Sequence, residues 1–342
     1  MKTLRVGILG AGYMGRLHGR NLVRQRGVVV GAVCSRPIET AQVLSRELTG
    51  GRAACYDDFD RLLGERRLDA LYVCLPPFAH EGQVQAAARR GIHLFLEKPI
   101  AMTVAQGASM VRAIEKAGIV SQVGYHMRWA APIRRLKALI DGGGAGRPTL
   151  LQARYFCNAL HGPWWRDAAQ SGGQVFEQLI HLYDLALHFL GKPVAASGFA
   201  ANLCHKDVPG YTVEDTSASL VRFAGGAVAC IVGSNCAVPM EWRSDLRVVC
   251  QKVTAEVPDL DHGTFTFSGG RSSEHFWKTG RKPRVDQVAR PVDCYLEETR
   301  AFLAAVRRGG PSSVPAREGL EGLRLVSAVL ESARDGGRPV RL

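Results

Sequence analysis

The opening stretch of the chain most narrows what it can become. An apolar run, Leu4-Arg5-Val6-Gly7-Ile8-Leu9, leads directly into Gly10-Ala11-Gly12-Tyr13-Met14-Gly15, and a helix-like segment follows. Further short runs rich in Val, Ile and Leu recur up to residue 125: VVVGAVC, LDALYVCLP, HLFLEKP and VSQVGY. Longer segments of helical composition, such as 79–90 and 103–117, lie between them. Strands that are apolar throughout and alternate with helices predict a parallel sheet covered on both faces. In that setting the three glycines have separate tasks. Gly10 permits a tight turn, Gly12 lets the backbone approach a pyrophosphate, and Gly15 lets helix and strand pack closely. The helix N-terminus offers its N–H groups to the anion. Gly10, Ala11, Gly12, Tyr13, Met14 and Gly15 are therefore expected to bind a dinucleotide.

The second apolar run ends at Cys34-Ser35-Arg36. A site for NAD usually carries Asp or Glu there, to accept from the ribose 2′-hydroxyl. The nearest acid is Glu39, on the following segment. Ser35 and Arg36 instead offer a hydroxyl and a fixed cation, which suit a 2′-phosphate. The expected cofactor is NADP or NAD, with NADP preferred.

After residue 125 the pattern changes. TLLQARYFC, VAASGFAAN, TSASLVRF, AVACIVGSN and LRVVCQKV read as successive strands, with a tight-hairpin signal at Ala224-Gly225-Gly226. This half is expected to be an α+β domain with an open, mainly antiparallel sheet and helices on one face. At 342 residues the chain is long enough for two domains, expected here as 1–125 and 126–342. Two helices close the sequence, with Tyr295, Thr299, Phe302 and Val306 on one stripe and Leu320, Leu323, Val326 and Leu330 on the other. Gly309–Gly310 and Gly336–Gly337 are their expected stops. Residues 255–290 are polar and punctuated by Gly and Pro, and no element is placed there.

The formal net charge is +13, carried mostly by arginine, with the basic residues scattered in pairs such as Arg66–Arg67 and Arg307–Arg308. Two readings stay open, a solvated arginine-rich surface and a contribution to binding an anionic ligand. Basic and aromatic residues do not interleave, so nucleic acid is not expected as a partner. No apolar run reaches the length of about 18 residues that a membrane span requires, and no signal peptide is read at the N-terminus. The nine cysteines include no C-x-x-C pair. Several sit in apolar runs, which predicts reduced, buried thiols in a cytoplasmic protein.

Glu97-Lys98-Pro99 follows the run HLFL. A lysine at the carboxyl end of a sheet strand is placed to polarise a substrate oxygen; an ordinary solvated lysine is the other reading. Pro99 biases Lys98 toward extended backbone and allows a cis bond between them. Residues 171–191, SGGQVFEQLIHLYDLALHFLG, predict one buried helix with Ser171 as N-cap and Gly191 as stop. Glu177, His181, Asp184 and His188 would share one face of it. That face either meets solvent and structural partners or lines a polar cavity. The set lacks H-E-x-x-H spacing and no further ligand cluster is evident, so no metal is expected.

GAGYMG, LPPFAHEGQ, EKP, GPWWRDAAQSGGQVFEQLIHLYDL and the terminal EGLRLVSAVLESARDGGRPV occur in an order and spacing that resembles the glucose–fructose oxidoreductase, inositol dehydrogenase and rhizopine-catabolism (Gfo/Idh/MocA) family, over almost the whole chain. The resemblance implies a Rossmann domain followed by an open-sheet α+β domain, with the active site between them. It implies that Lys98 is the catalytic lysine and His181 the catalytic histidine, with Glu177 where many members carry Asp. Leu75, Pro76 and His80 match a loop beside the cofactor, Glu97 belongs to the lysine motif, and Trp165 and Arg166 match a segment near the nicotinamide. Arg128, in GYHMRW, matches a substrate-facing position. The implied activity is hydride transfer between a nicotinamide cofactor and a secondary alcohol or ketone of a sugar, sugar derivative or cyclitol, with Lys98, Arg128, Glu177 and His181 around a polyhydroxylated substrate. A redox-neutral hydrolase or epimerase that recycles its cofactor, a reductase of imines, and a non-enzymatic cofactor sensor are the rival readings. The family's open sheet implies a homodimer or homotetramer.

Overall fold

A computed structural model describes residues 3–342, which fall into two compact units. The first unit holds the residues up to Tyr125 together with Tyr295–Leu323. Its sheet has six strands: β1 (Leu4–Leu9), β2 (Val28–Cys34), β3 (Ala54–Tyr56), β4 (Ala70–Val73), β5 (His93–Leu96) and β6 (Ser121–Val123). They lie in the order β3-β2-β1-β4-β5-β6, and every neighbouring pair is parallel. This is the doubly wound order of dinucleotide-binding folds. β4 is buried at all four positions, as a strand covered on both faces must be. Each expected run forms a strand. β3 is an addition, and at three residues it is too short to show a period.

Helices fill the connections, and their ends follow local chemistry. The Asp58 carboxylate caps the helix Phe59–Glu65 by accepting the Arg61 N–H, and the Thr103 hydroxyl caps Val104–Ala117 through Gln106. Gly50 and Gly118 end their helices in the left-handed region.

Beyond its first 125 residues, the first unit also takes in Tyr295–Leu323 from late in the sequence. The helix Cys294–Arg308 sends Phe302, Leu303, Ala305 and Val306 into the core of the first unit, beside Leu4, Val6, Tyr72 and Phe95. Phe302 stands edge-on to Tyr72 at 5.5 Å and to Phe95 at 5.7 Å between ring centroids. The apolar stripe of this helix was legible; a stripe alone does not say which sheet it covers.

The second unit holds His126–Cys294 and Arg324–Leu342. Its nine strands are β7 (Pro148–Asn158), β8 (Pro193–Ala201), β9 (Thr216–Phe223), β10 (Val228–Pro239), β11 (Trp242–Cys250), β12 (Val253–Val257), β13 (His262–Phe267), β14 (Arg284–Ala289) and β15 (Val340–Arg341). The order is β14-β13-β12-β11-β7-β10-β9-β8-β15. The β7–β10 pair is parallel, and the other pairs are antiparallel. The β9–β10 hairpin turns at Ala224-Gly225-Gly226 as expected, with Gly226 at φ +84° and the Phe223 N–H donating to Ala227. Along β9, Ser217, Ser219, Val221 and Phe223 are buried while Ala218, Leu220 and Arg222 are exposed. One face of the sheet is thus covered and the other open. Tyr183, on the helix Ile180–Leu190, joins the covered face through a 2.8 Å hydrogen bond between its hydroxyl and Ser219. The stretch 255–290, left unassigned by sequence, completes β12 and supplies β13, the short helix Ser273–Thr279 and β14. β14 is an edge strand with no fully buried residue, so it carries no apolar period.

Candidate active site

In the first unit the predicted residues gather along one edge of the sheet. The glycine turn follows β1, Ser35 follows β2, Leu75 and Pro76 follow β4, and Glu97 and Lys98 follow β5. Those strands are consecutive in the order β2-β1-β4-β5 and parallel, so all four groups lie at carboxyl ends, where ligands bind in sheets of this kind.

The glycines behave as their spacing demands. Gly10 has φ +95°, and a Cβ there would lie 2.5 Å from the Cys74 carbonyl oxygen. A Cβ on Gly15 would lie 1.9 Å from the Gly10 carbonyl oxygen, so helix Tyr13–Val23 can sit this close to the turn only with glycine at that position. Nothing lies within 4 Å of a Cβ on Gly12, whose backbone is open to an approaching group. The N–H groups of the first helical turn have no partner within the helix itself. This cradle fits a dinucleotide pyrophosphate. Tyr13 is exposed and Met14 half-buried beside it.

The Ser35 hydroxyl accepts the Ala11 N–H at 3.2 Å and the Thr40 hydroxyl at 2.9 Å, tying the end of β2 to the turn. Arg36 is exposed, and its Nε–H donates to the Asp57 carbonyl at 2.8 Å. Leu75 and Pro76 are half-buried, and His80 is buried, its imidazole pushed down to about 4 by loss of water and so neutral at neutral pH. The Lys98–Pro99 peptide is cis. Lys98 is half-buried; Glu97 is buried, and one of its carboxylate oxygens accepts the Lys98 N–H at 3.2 Å.

In the second unit the single helix expected over 171–191 is broken. Helices Ala168–Ser171, Gln174–Glu177 and Ile180–Leu190 replace it. Ser171 ends the first of these. Gly172 and Gly173 follow at φ +79° and +95°, a conformation an L side chain rarely adopts. A second irregularity falls at Gln178–Leu179, where the Leu179 N–H reaches back to Gln174 and the His181 N–H to Gln178. The hydrogen bonding between Glu177 and His181 therefore departs from the regular helical pattern, whereas His181, Asp184 and His188 lie on one continuous helix. Gly191 ends the last helix at φ +85°, as expected.

His181 is buried, and its ring meets His126 edge-on at 4.5 Å between centroids. Glu177 is half-buried and its carboxylate accepts the Trp165 indole N–H at 3.0 Å. Trp165 packs with Tyr211 and Val213. Arg166 donates to the carbonyls of Leu160 and His161, so both members of that pair are held by partners in their own unit. Arg128 is buried and doubly bonded to Asp184, Nε to Oδ2 at 2.7 Å and a terminal nitrogen to Oδ1 at 2.6 Å. This fork anchors the turn His126–Trp129 to helix Ile180–Leu190. Burial, with Arg128 and Lys137 adding repulsion, pushes the His188 imidazole down to about 3.

Sequence reasoning missed His126, the ring partner of His181, and Glu214. The Glu214 carboxylate accepts the Val175 N–H at 2.6 Å at the start of the Glu177 helix, in the space a Cβ on Gly173 would need. Neither contact follows from any local spacing. Among the described residues, the two groups of potential metal ligands within 4.8 Å of one another are Cys204, Asp215, Cys236 and His18, Glu97, Glu298, and neither draws on the Glu177–His188 stripe. Among the described residues, no helix is long and apolar enough to cross a membrane.

Comparison with known proteins gives these features a context. Residues 4–125 match the model of an oxidoreductase family with an NAD-binding Rossmann fold, and residues 133–256 match the GFO/IDH/MocA C-terminal domain. Myo-inositol 2-dehydrogenase of Thermotoga maritima is 25% identical over 338 residues, covering 97% of this chain and 97% of that protein. The scyllo-inositol 2-dehydrogenase (NAD(+)) of Bacillus subtilis is 26% identical over 346 residues, covering 99% and 96%. A solved levoglucosan dehydrogenase in complex with NADH and L-sorbose superposes with a TM-score of 0.89 at 19% identity, over 100% of this chain and 99% of that one, and shares its fold.

Proposed function

The chain belongs to the GFO/IDH/MocA oxidoreductase family, and from that premise we propose that it moves a hydride between a nicotinamide dinucleotide and a secondary alcohol or ketone of a sugar, sugar derivative or cyclitol. The observation that carries this reading is the carboxyl edge of the first sheet, where a glycine cradle fit for a pyrophosphate follows β1 and Lys98 follows β5, with only β4 between the two strands. The inositol dehydrogenases among its relatives support the polyol class.

The bound nicotinamide supplies hydride acceptance or donation. The chain's own residues handle the proton and the charge. In the oxidising direction His181 would take the proton of the substrate hydroxyl as that carbon–oxygen bond becomes a carbonyl. Histidine is the side chain that exchanges protons most readily near neutrality. Lys98 polarises the reacting oxygen and stabilises its developing negative charge. Glu177, oriented by the Trp165 indole, receives a substrate hydroxyl. Arg36, exposed at the end of β2, favours NADP over NAD by meeting the 2′-phosphate.

The open face of the second sheet presents Leu150, Leu220 and Val228 to solvent beside a groove of about 1020 Å³ lined by Arg154, Asp245, Arg247 and Glu256. Mixed apolar and paired charged groups there suit a second copy, giving a homodimer or homotetramer. Nine cysteines that form no disulfide suit a reducing, cytoplasmic setting.

The test is a panel of polyols and their ketones offered with NADPH or NADH. The expected result is nucleotide conversion in step with substrate. Substrate turned over with no net change in nucleotide would replace this reading with a redox-neutral one.

A further inference from the structure

The helix that follows the glycine cradle carries a histidine no role above has used. His18 is fully buried, and its Nε2 lies 2.6 Å from Glu97 Oε1. Its ring is packed against Phe95 at 4.8 Å and Tyr72 at 5.3 Å between centroids, with Tyr295 edge-on at 6.2 Å. Glu97 spends its other oxygen on the Lys98 N–H. Its carboxylate lies against Gly124, where an added Cβ would come within 3.0 Å of Oε1. A direct hydrogen bond of 2.6 Å leaves no space for an ion between His18 and Glu97, since zinc holds its ligand atoms more than about 3 Å apart.

We infer that His18 is a positioning residue for Lys98, acting through Glu97. The inference rests on the catalytic reading of Lys98. Helix Tyr13–Val23 starts at the glycine cradle and carries His18 one turn beyond Gly15; His18 fixes the Glu97 carboxylate; the carboxylate fixes the backbone of the lysine turn. The dinucleotide helix and the lysine are joined by a buried link rather than by chain continuity, since His18 and Glu97 are 79 residues apart. A side chain locked by such support is held more closely than a loop lysine alone, and a displacement of about 1 Å at a catalytic group can cost about a hundredfold in rate.

The chemistry of the contact supplies its own control. The amide nitrogen of glutamine falls near the Nε2 position of histidine, and that of asparagine near Nδ1. His18→Gln can therefore reach Glu97, whereas His18→Asn is equally polar and cannot. His18→Phe keeps the ring contacts and removes both nitrogens, and it carries the same test should the asparagine variant not fold. The readouts are kcat against KM for the polyol converted in the panel, and the rate at which an N-hydroxysuccinimide ester of acetic acid acylates Lys98, followed by peptide mass without substrate. The expected result is a kcat lower by about 30- to 100-fold in His18→Asn or His18→Phe with KM little changed, and Lys98 acylated about threefold faster or more as its turn loosens. His18→Gln recovers most of both. A folded asparagine or phenylalanine variant with unchanged kcat and unchanged Lys98 acylation, beside an inactive Lys98→Met, overturns the inference. Turnover surviving in Lys98→Met overturns the catalytic reading of Lys98 instead, and the acylation rates still decide whether His18 holds the turn.

Discussion

Arg128 and Asp184 form a two-pronged ion pair in which both side chains are buried, with nitrogen–oxygen distances of 2.7 and 2.6 Å. The pair ties the turn His126–Trp129 to the helix that carries His181. Removing one partner strands the other charge away from water, which costs about 3–5 kcal/mol. Arg128→Ala and Asp184→Ala are each expected to lower stability by that amount in urea unfolding. Arg128→Lys cannot make the planar fork and should recover only part of it. Wild-type stability in either alanine variant would falsify the anchoring role.

Gly12 and Gly15 should separate binding from folding. Gly12→Ala meets nothing within 4 Å and is expected to leave the melting temperature unchanged while weakening NADH or NADPH binding, because its methyl stands where the pyrophosphate approaches. Gly15→Ala would put a Cβ 1.9 Å from the Gly10 carbonyl and is expected to lower the melting temperature itself. Equal melting shifts in the two variants would remove the distinction.

Lys98→Met and His181→Asn are expected to reduce turnover by about 10²–10⁴-fold, with dinucleotide affinity, followed by cofactor fluorescence, within about threefold of wild type. Loss of dinucleotide binding in step with turnover would reassign these residues to cofactor binding.

Arg36 should govern the choice of dinucleotide. A charge-assisted hydrogen bond to a 2′-phosphate is worth about 1.5–3 kcal/mol. Arg36→Ala is expected to weaken NADPH binding about tenfold or more and to leave NADH binding nearly unchanged. Parallel titrations of both nucleotides check this, and equal losses for the two would count against a phosphate contact.

Glu214 gives a pH dependence with a definite sign. Loss of water raises its carboxyl from 4.5 to about 7, despite the N–H groups it accepts from. The folded state thus holds a proton that the unfolded state has released, and between those two values stability falls as pH rises, by up to about 3 kcal/mol from this group. Urea unfolding at intervals from pH 4.5 to 7.5 measures the slope. Glu214→Gln, which cannot titrate, is expected to flatten it; an unchanged slope would place its origin elsewhere.

The first sheet was legible because its strands lie in runs that are mostly apolar and separated by helices of ordinary length, a pattern few other folds produce. The glycine turn and Lys98 were legible because each directly follows an apolar strand-like run, and the carboxyl ends of parallel strands are where such sheets bind ligands. β3 escaped for want of length, and β14 because an edge strand needs no buried alternation. The break in the His181 region had a visible sign, the tandem Gly172–Gly173, which is costly inside a helix, but the apolar run after it outweighed the pair. The contacts between His18 and Glu97, and between Arg128 and Asp184, span 79 and 56 residues. No periodicity reaches that far, and only the folded chain brings these groups together.

The helix Cys294–Arg308 has a consequence for how the protein is made. A ribosome completes the glycine cradle well before this helix, yet Tyr72 and Phe95 gain the Phe302 wall only once the helix Cys294–Arg308, far downstream of both, has been joined. Throughout the synthesis of 126–294 that aromatic patch stands uncovered, which is the condition under which nascent chains stick to one another or to chaperones. A fragment ending at Tyr125 would freeze the protein in that state: equipped with its whole phosphate turn, and missing a side of its own interior.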